Sequence, residues 1–353
     1  MTAALTSICI PTYNRAHFLA ESLDSIRRQD YPNLEIVISD NHSTDATEAL
    51  CRAAAAEDSR IRYIRQRRNL GMHANHNACI DESRGDFLAF FHDDDVYSEQ
   101  MVSACVAFLR ERPHVGLVCP DWQLIDESGS MLGERRHEVP AVVDGTDYIE
   151  RTMRSGQSFL GCPGTLIRRA SLGDIRFDVN GPLGFGDFAV WFQVAERSAV
   201  GHIDRILWRY RLHTQSLSRR TILSVTGDYY DSLDRYCAGY LQRRPDSGRR
   251  VARWRAHIRR YLFWAVAYEV GLHFRQQTES TAARYRTVFE LADYRLTPEE
   301  LDAALAHLRT YHQGALQGGV WAVVALLVRA RCTAPLAWAA RHPSLMRRVG
   351  GLS

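Results

Sequence analysis

The chain has 353 residues, 46% of them hydrophobic and 24% charged, and its formal net charge is +3. A chain of this length buries a sizeable core, as two domains or as one with an extension, and its composition is that of an ordinary globular protein with no call for a nucleic-acid partner. The charge is uneven: residues 1–220 hold 25 Arg against 30 acidic residues, whereas residues 221–353 hold 19 Arg against 11, so the balance moves from −5 to +8.

In chain order, the first 120 residues alternate short apolar runs with amphipathic stretches. Ser7–Pro11, Glu35–Ser39, Ile61–Arg65, Asp86–Phe91 and Gly116–Cys119 read as strands. Leu19, Leu23 and Ile26 recur on one face of a helix between the first two. Asp45 with Glu48 opens a second helix, and Ser98 begins a third that carries Met101, Cys105, Phe108 and Leu109. His73 and His76 stand at i, i+3 on another helical stretch and read as pocket lining or surface. Strand–helix alternation predicts βαβ units and a mostly parallel sheet. Residues 120–213 are less regular. Asp126-Glu127-Ser128-Gly129 reads as a hairpin turn, Gly161–Gly164 as a tight loop before a strand at Thr165–Ile167, Asp187–Ala199 as a helix and Val200–Leu212 as extended chain. From Thr221 the pattern is helical, with a basic and aromatic stretch around Arg253-Trp254-Arg255 and Leu262–Val266.

Several classes of function drop out. The eight Cys form no C-x-x-C, so neither a zinc knuckle nor a dithiol motif is indicated. Cys9, inside Ser7–Ile10, behaves as a small hydrophobe, and scattered thiols fit a reducing cytoplasm. No signal peptide is apparent, and the apolar run Val320–Val328 falls short of the ~20 residues that span a bilayer. All 44 basic residues are Arg, which is read as compositional bias.

Asp93-Asp94-Asp95 ends the apolar run Phe87–Phe91. Adjacent like charges at the rim of a core are costly. A solvated turn that caps the next helix is one reading, and a divalent cation with oxygen ligands is the other. Ligands of open parallel sheets bind beyond the carboxyl ends of strands. Three polar clusters occupy such ends: Thr12-Tyr13-Asn14, Asp40-Asn41 and the acidic run.

These segments together resemble a family 2 glycosyltransferase of the GT-A fold. The likeness rests on Ile10-Pro11-Thr12-Tyr13-Asn14-Arg15, on Glu35 to Asp45, on Asn69-Leu70-Gly71 with Asn75, on the acidic run, on Gly186-Asp187 before Trp191, and on Tyr210-Arg211-Leu212-His213. It covers residues 5–220 and implies a Rossmann-like α/β domain over 1–220, while 221–353, a mainly helical extension by its own pattern, matches no named family. The implied activity is inverting transfer of a sugar from a nucleoside diphosphate to a hydroxyl of a glycan, lipid-linked or small-molecule acceptor, with Mn2+ or Mg2+. The resemblance assigns Pro11, Thr12, Tyr13, Asn14, Arg15, Asn69, Gly71 and Asn75 to the donor pocket, and Asp40 or Asn41 to the base. Asp94 and His213 become metal ligands, Asp93 and Asp95 contacts to ribose or sugar hydroxyls, Arg211 a phosphate contact, and Asp187 the catalytic base. The chain departs from the family pattern in three places: Asn41 stands for a second acid, His92 for an Asp, and Gly186 for a Glu.

Two other classes are weighed against this one. A sugar-1-phosphate nucleotidyltransferase would carry a Gly-rich basic loop after the first strand, where this chain has Pro11-Thr12-Tyr13-Asn14. A non-catalytic nucleotide- or carbohydrate-binding module could share the fold. For residues 221–353 the +8 balance and the aromatic residues Trp254, Phe263, Trp264 and Trp321 imply mostly helices that pack on the catalytic domain, with a second copy of the chain or an anionic membrane surface as further partners.

Overall fold

The computed structural model describes residues 3–182, 185–213 and 222–258, without the side chains of 222–228. The chain falls into two compact units, Met1–Arg219 and Arg220–Ser353. Phe263, Trp264 and Trp321 lie outside the described residues.

The first unit opens with three βα pairs, β1 (Thr6–Thr12), α1 (Ala16–Arg27), β2 (Leu34–Asp40), α2 (Thr47–Glu57), β3 (Ile61–Arg65) and α3 (Met72–Glu82). It continues with β4 (Phe87–Phe90), β5 (Val96–Tyr97), α4 (Met101–Glu111), β6 (Val115–Ile125), β7 (Met131–Arg135), β8 (Val142–Val143), α5 (Gly145–Ser155), β9 (Leu166–Arg168), α6 (Arg169–Leu172), α7 (Gly186–Ala195) and β10 (Ala199–Arg211). The strands form one sheet in the order β3-β2-β1-β4-β9-β6-β10-β5, with β7 on β6 and β8 on β10. β1, β2, β3 and β4 pair in parallel, as do β6 and β10, while β9 runs antiparallel to both β4 and β6. Two antiparallel steps restore direction, so β1, β2, β4, β6 and β10 all end at one edge of the sheet.

Both faces of the parallel strands are covered, which explains their unbroken apolar runs. Ile8, Ile10, Ile36 and Ile38 face one side, where they share a core with Leu19, Leu23 and Ile26 of α1 and Met101, Cys105 and Leu109 of α4. Cys9 and Val37, at the alternate positions, meet α3: the Cys9 thiol donates to Cys79 O and the Cys79 thiol to Val37 O. These cysteines are fully buried, as expected of small hydrophobes.

The strand expected at Gly116–Cys119 continues to Ile125. Pro120 and Asp121 look like a break in the sequence. The ladder tolerates them through register shifts in β10 between Ile203 and Ile206 and between Ile206 and Trp208. The hairpin turn lies where expected: Asp126 Oδ1 accepts from Ser128 N and Ser130 N, each 2.9 Å, and Gly129 takes φ +87°.

The second unit is helical where it is described, with α8 (Ile222–Arg243), a 3-10 turn (Pro245–Ser247) and a helical run over 248–258. Trp254 is fully buried against Tyr236 and Tyr240, with ring centroids 6.1 and 4.9 Å away. Arg255 pairs with Asp234 at 2.6 Å, so at least this part of the basic stretch is satisfied within the unit.

Candidate active site

The predicted residues gather along the edge where β1, β2, β4 and β10 end. The loops after β1 and β2 and the turn before α7 bend sharply. Asn14 after β1, His42 after β2 and Phe185 before α7 take φ of +52°, +69° and +61°, values unusual for residues with side chains and tied to a fixed local shape.

The acidic turn lies at the centre. Asp94 Oδ2 is 2.9 Å from His213 Nε2, which joins residues 119 positions apart. Asp95 is fully buried: its Oδ1 accepts from Arg211 N at 2.8 Å, and its Oδ2 has no hydrogen-bond partner. Arg15 Nε lies 3.7 Å from Asp93 Oδ1, a basic neighbour that local sequence does not reveal. Burial, then the charge of Asp94, pushes the Asp93 carboxyl up to about 7 and that of Asp95 well above the usual range. Burial would raise Asp94 too, but the bond to His213 and the nearby His92 and Arg15 outweigh it and hold Asp94 low. Donor atoms of His92, Asp94 and Asp95 lie within 4.8 Å of one another. Carboxylates with an imidazole, one buried oxygen among them lacking a donor, fit a divalent cation.

Arg211 takes a different place from the one expected. Its guanidinium donates to Asp94 O, Asp126 O, Glu127 O and Glu21 Oε2, and it is 2% exposed. These bonds make it a brace that holds the acidic turn, the β6–β7 hairpin and α1 together. The phosphate contact read from the resemblance is not where they go.

The donor-pocket residues divide in the same way. Tyr13 is 42% exposed at the end of β1 and free to meet a ligand. Asp40 is fully buried: Oδ1 accepts from Ser43 N at 2.8 Å and Oδ2 from Tyr63 Oη at 2.7 Å. Asn41 Nδ2 donates to Asn69 Oδ1 and Gly71 O, while its Oδ1 accepts from Leu70 N at 2.7 Å. Asn75 Nδ2 donates to Ser39 O, and its Oδ1 accepts from Ser39 Oγ. Asn41 thus fixes the 69–71 loop, and Asn75 ties α3 to the end of β2. Asn14 does not cap α1 with its side chain, which accepts from Thr44 N at 2.8 Å. The α1 amides are served from the next loop, Arg15 N by Thr47 Oγ1 and Ala16 N by Asp45 Oδ2.

Asp187 sits in the first turn of α7, reachable by solvent yet crowded by protein. That burial pushes its carboxyl up to about 6, against the pull of its own amide, that of Phe188 and the Trp191 side chain. Trp191 itself is core, 0% exposed. His73 is buried, not surface: its Nδ1 lies 2.8 Å from Asp178 O, and its Nε2 would stand 2.5 Å from a Cβ at Gly186. The ring fills the space that a side chain at 186 would take, which accounts for the glycine. His76 is likewise buried, with its ring near Phe177 and His92.

Comparison with known proteins identifies the family to which this fold belongs. The sequence model described as Glycosyl transferase family 2 matches residues 7–176. EpsE of Bacillus subtilis, named as a glycosyltransferase, is 30% identical over 221 residues, 61% of this chain and 76% of that protein. GlyA of Streptococcus pneumoniae, also a glycosyltransferase, is 27% identical over 222 residues, 60% of this chain but only 31% of its own length. Among solved structures, S. aureus TarS in complex with UDP-GlcNAc superposes with a TM-score of 0.63 at 17% identity, over 93% of this chain and 91% of that one. The mannosyltransferase PcManGT of Pyrobaculum calidifontis, in complex with GDP-Man and Mn2+, gives 0.55 at 17%, over 92% of this chain and 87% of that one. The chain belongs to the family 2 glycosyltransferases, with a GT-A fold in its first unit. It is therefore an enzyme of glycosyl transfer, and the nucleotidyltransferase and binding-module alternatives fall away.

Proposed function

We propose that the enzyme transfers a sugar from a nucleoside-diphosphate donor to an acceptor hydroxyl with inversion, and that it needs a divalent cation. The observation that carries this reading is the Asp94–His213 contact of 2.9 Å at the sheet edge, which joins a carboxylate and an imidazole where donors bind in parallel sheets. Asp94 and His213 would hold Mn2+ or Mg2+, with Asp95 beside them. A cation bound there neutralises the donor diphosphate and the charge left on it as the glycosidic bond breaks.

The chain's own residues do the rest. Tyr13 and Thr12 wall the base pocket, and Asp40 at the end of β2 supports it. Asp93 faces ribose or sugar hydroxyls, whereas the burial of Asp95 and its bond to Arg211 N leave it supporting the acidic turn. Asp187 accepts the proton of the acceptor hydroxyl as that oxygen forms its bond to the anomeric carbon. A carboxyl near 6 is ionised at neutral pH and still basic enough for the task. The complexes of TarS with UDP-GlcNAc and of PcManGT with GDP-Man and Mn2+ support a donor of this class.

Calorimetry with UDP and with GDP, in Mn2+ and in excess chelator, tests the reading. One of the two nucleotides should bind, and the chelator should weaken it. Equal affinity with and without the metal would refute metal dependence.

A further inference from the structure

A second group of metal-ligating side chains meets where β6, β10 and the segment between β7 and β8 come together. Asp121 on β6 is fully buried. Its Oδ1 is 2.8 Å from His137 Nδ1 and 3.0 Å from His202 Nε2, and it also accepts from His137 N at 3.2 Å. Its Oδ2 is buried with no hydrogen-bond partner. One carboxylate oxygen therefore receives three contacts and the other none, although the group is shut away from water. His202 is 2% exposed, whereas His137 keeps some access to solvent. Aromatic rings close the surroundings: Trp122 lies 4.8 Å from His137, and Phe159 lies 5.9 Å from His202. A buried anionic oxygen without a donor is costly in such a setting and calls for a missing partner.

The donor atoms suggest the partner. One ligand atom from each of Asp121, His137 and His202 lies within 4.8 Å of the others. Two imidazoles with one carboxylate suit Zn2+ and similar borderline cations better than Mg2+, with coordination positions left for water. The acidic turn is richer in oxygen and differs in this respect. We propose that Asp121, His137 and His202 form a second metal site, selective for Zn2+ or a cation like it, that fastens the 136–141 segment to the sheet.

Binding exchanges the two ring contacts to Asp121 Oδ1 for two nitrogen–metal bonds, so the protons on the two facing nitrogens must move, by exchange with water, to the ring nitrogens that face away or be released to solvent. The role is structural. His137 belongs to a segment otherwise held by few bonds, among them His202 N to Ala141 O at 2.9 Å. The exposed pair Arg135 and Arg136 precedes it and offers a natural protease site whose cutting reports local opening.

The test uses the full chain, stripped with chelator and carrying Asp94→Asn to weaken the acidic-turn site. Zn2+ is titrated by calorimetry and Co2+ by its visible absorption. The protein should take up metal, and the stoichiometry should fall by one when His202→Ala is added. His137→Ala, at a less buried position, should give the same loss if His202→Ala fails to fold. At free Zn2+ ~100 times its Kd, tryptic cutting after Arg135 and Arg136 should slow ~100-fold, the factor by which a ligand of the closed form suppresses opening. Uptake that is absent in Asp94→Asn, or unchanged by both His substitutions, would overturn the proposal and leave Asp121 holding two rings by hydrogen bonds alone.

Discussion

At position 41 this chain has Asn where the resemblance leads one to expect a second acid, and its neighbours give the reason. The amide donates to Asn69 Oδ1 and Gly71 O and accepts from Leu70 N. A carboxylate there would face two acceptors with no hydrogen to offer. Asn41→Asp should therefore cost about 1–3 kcal/mol and loosen the 69–71 loop, seen as a lower Tm and weaker nucleotide binding in calorimetry. Asp187→Asn should behave in the opposite sense. Under the proposed mechanism it removes the base and leaves the pocket, so kcat should fall ~10²-fold or more while the donor Kd stays put. Because the base must be ionised, and its carboxyl is raised to about 6, kcat/KM should decline as pH drops through that value and level off above it. A flat profile from pH 5 to 8 would place the base elsewhere. At this scale the sequence located the run 93–95 at a strand end and Asp187 at a helix start, where the structure has them. It was not legible for Arg211 or Asn75, whose duties depend on partners such as Glu21, 190 positions away from Arg211, and on Ser39, 36 away from Asn75.

Elements show the same division between local and distant causes. The parallel strands and α1 could be read directly, because burial on both faces and a 3.6-residue stripe leave periodic marks. The length of β6 could not, because a proline and an aspartate within it are accommodated only by the irregular register of a strand some 80 residues later. α5 left weak signals that went unread: Asp144 accepts from Thr146 N at 2.8 Å, and Gly156 ends the helix at φ +70°. The start of α7 is set by a ring from α3. A methyl at 186 would press on His73 Nε2, so Gly186→Ala should shift the first turn of α7 and carry Asp187 with it. A kcat loss of ~10-fold or more with little change in Tm is expected, since small displacements of a base are costly. Adding His73→Ala to Gly186→Ala should recover part of the rate. If the double variant is no faster than Gly186→Ala alone, the ring is not the obstacle.

For the whole molecule, the division of charge between the two parts of the chain coincides with two units that have different jobs. The first has the GT-A fold and holds the candidate site. The second is basic, and its described helices bury their own aromatic residues. Trp254→Ala removes a fully buried ring and should destabilise the second unit by about 3–5 kcal/mol, detected as an early separate transition in calorimetry. We favour protein packing over lipid for residues 221–353, a reading that predicts a self-associated species in light scattering and no flotation with anionic vesicles. Within the first unit, one carboxylate has a consequence for cooperativity. Asp45 accepts from Ala16 N at the start of α1 and from Thr47 N at the start of α2, so one carboxylate ties the starts of two successive βα repeats. Loss of this one carboxylate releases an amide at the start of each helix. In hydrogen exchange the leading amides of α1 and α2 should exchange at matched rates, and Asp45→Ala should accelerate both together, so that two repeats of the chain open as one.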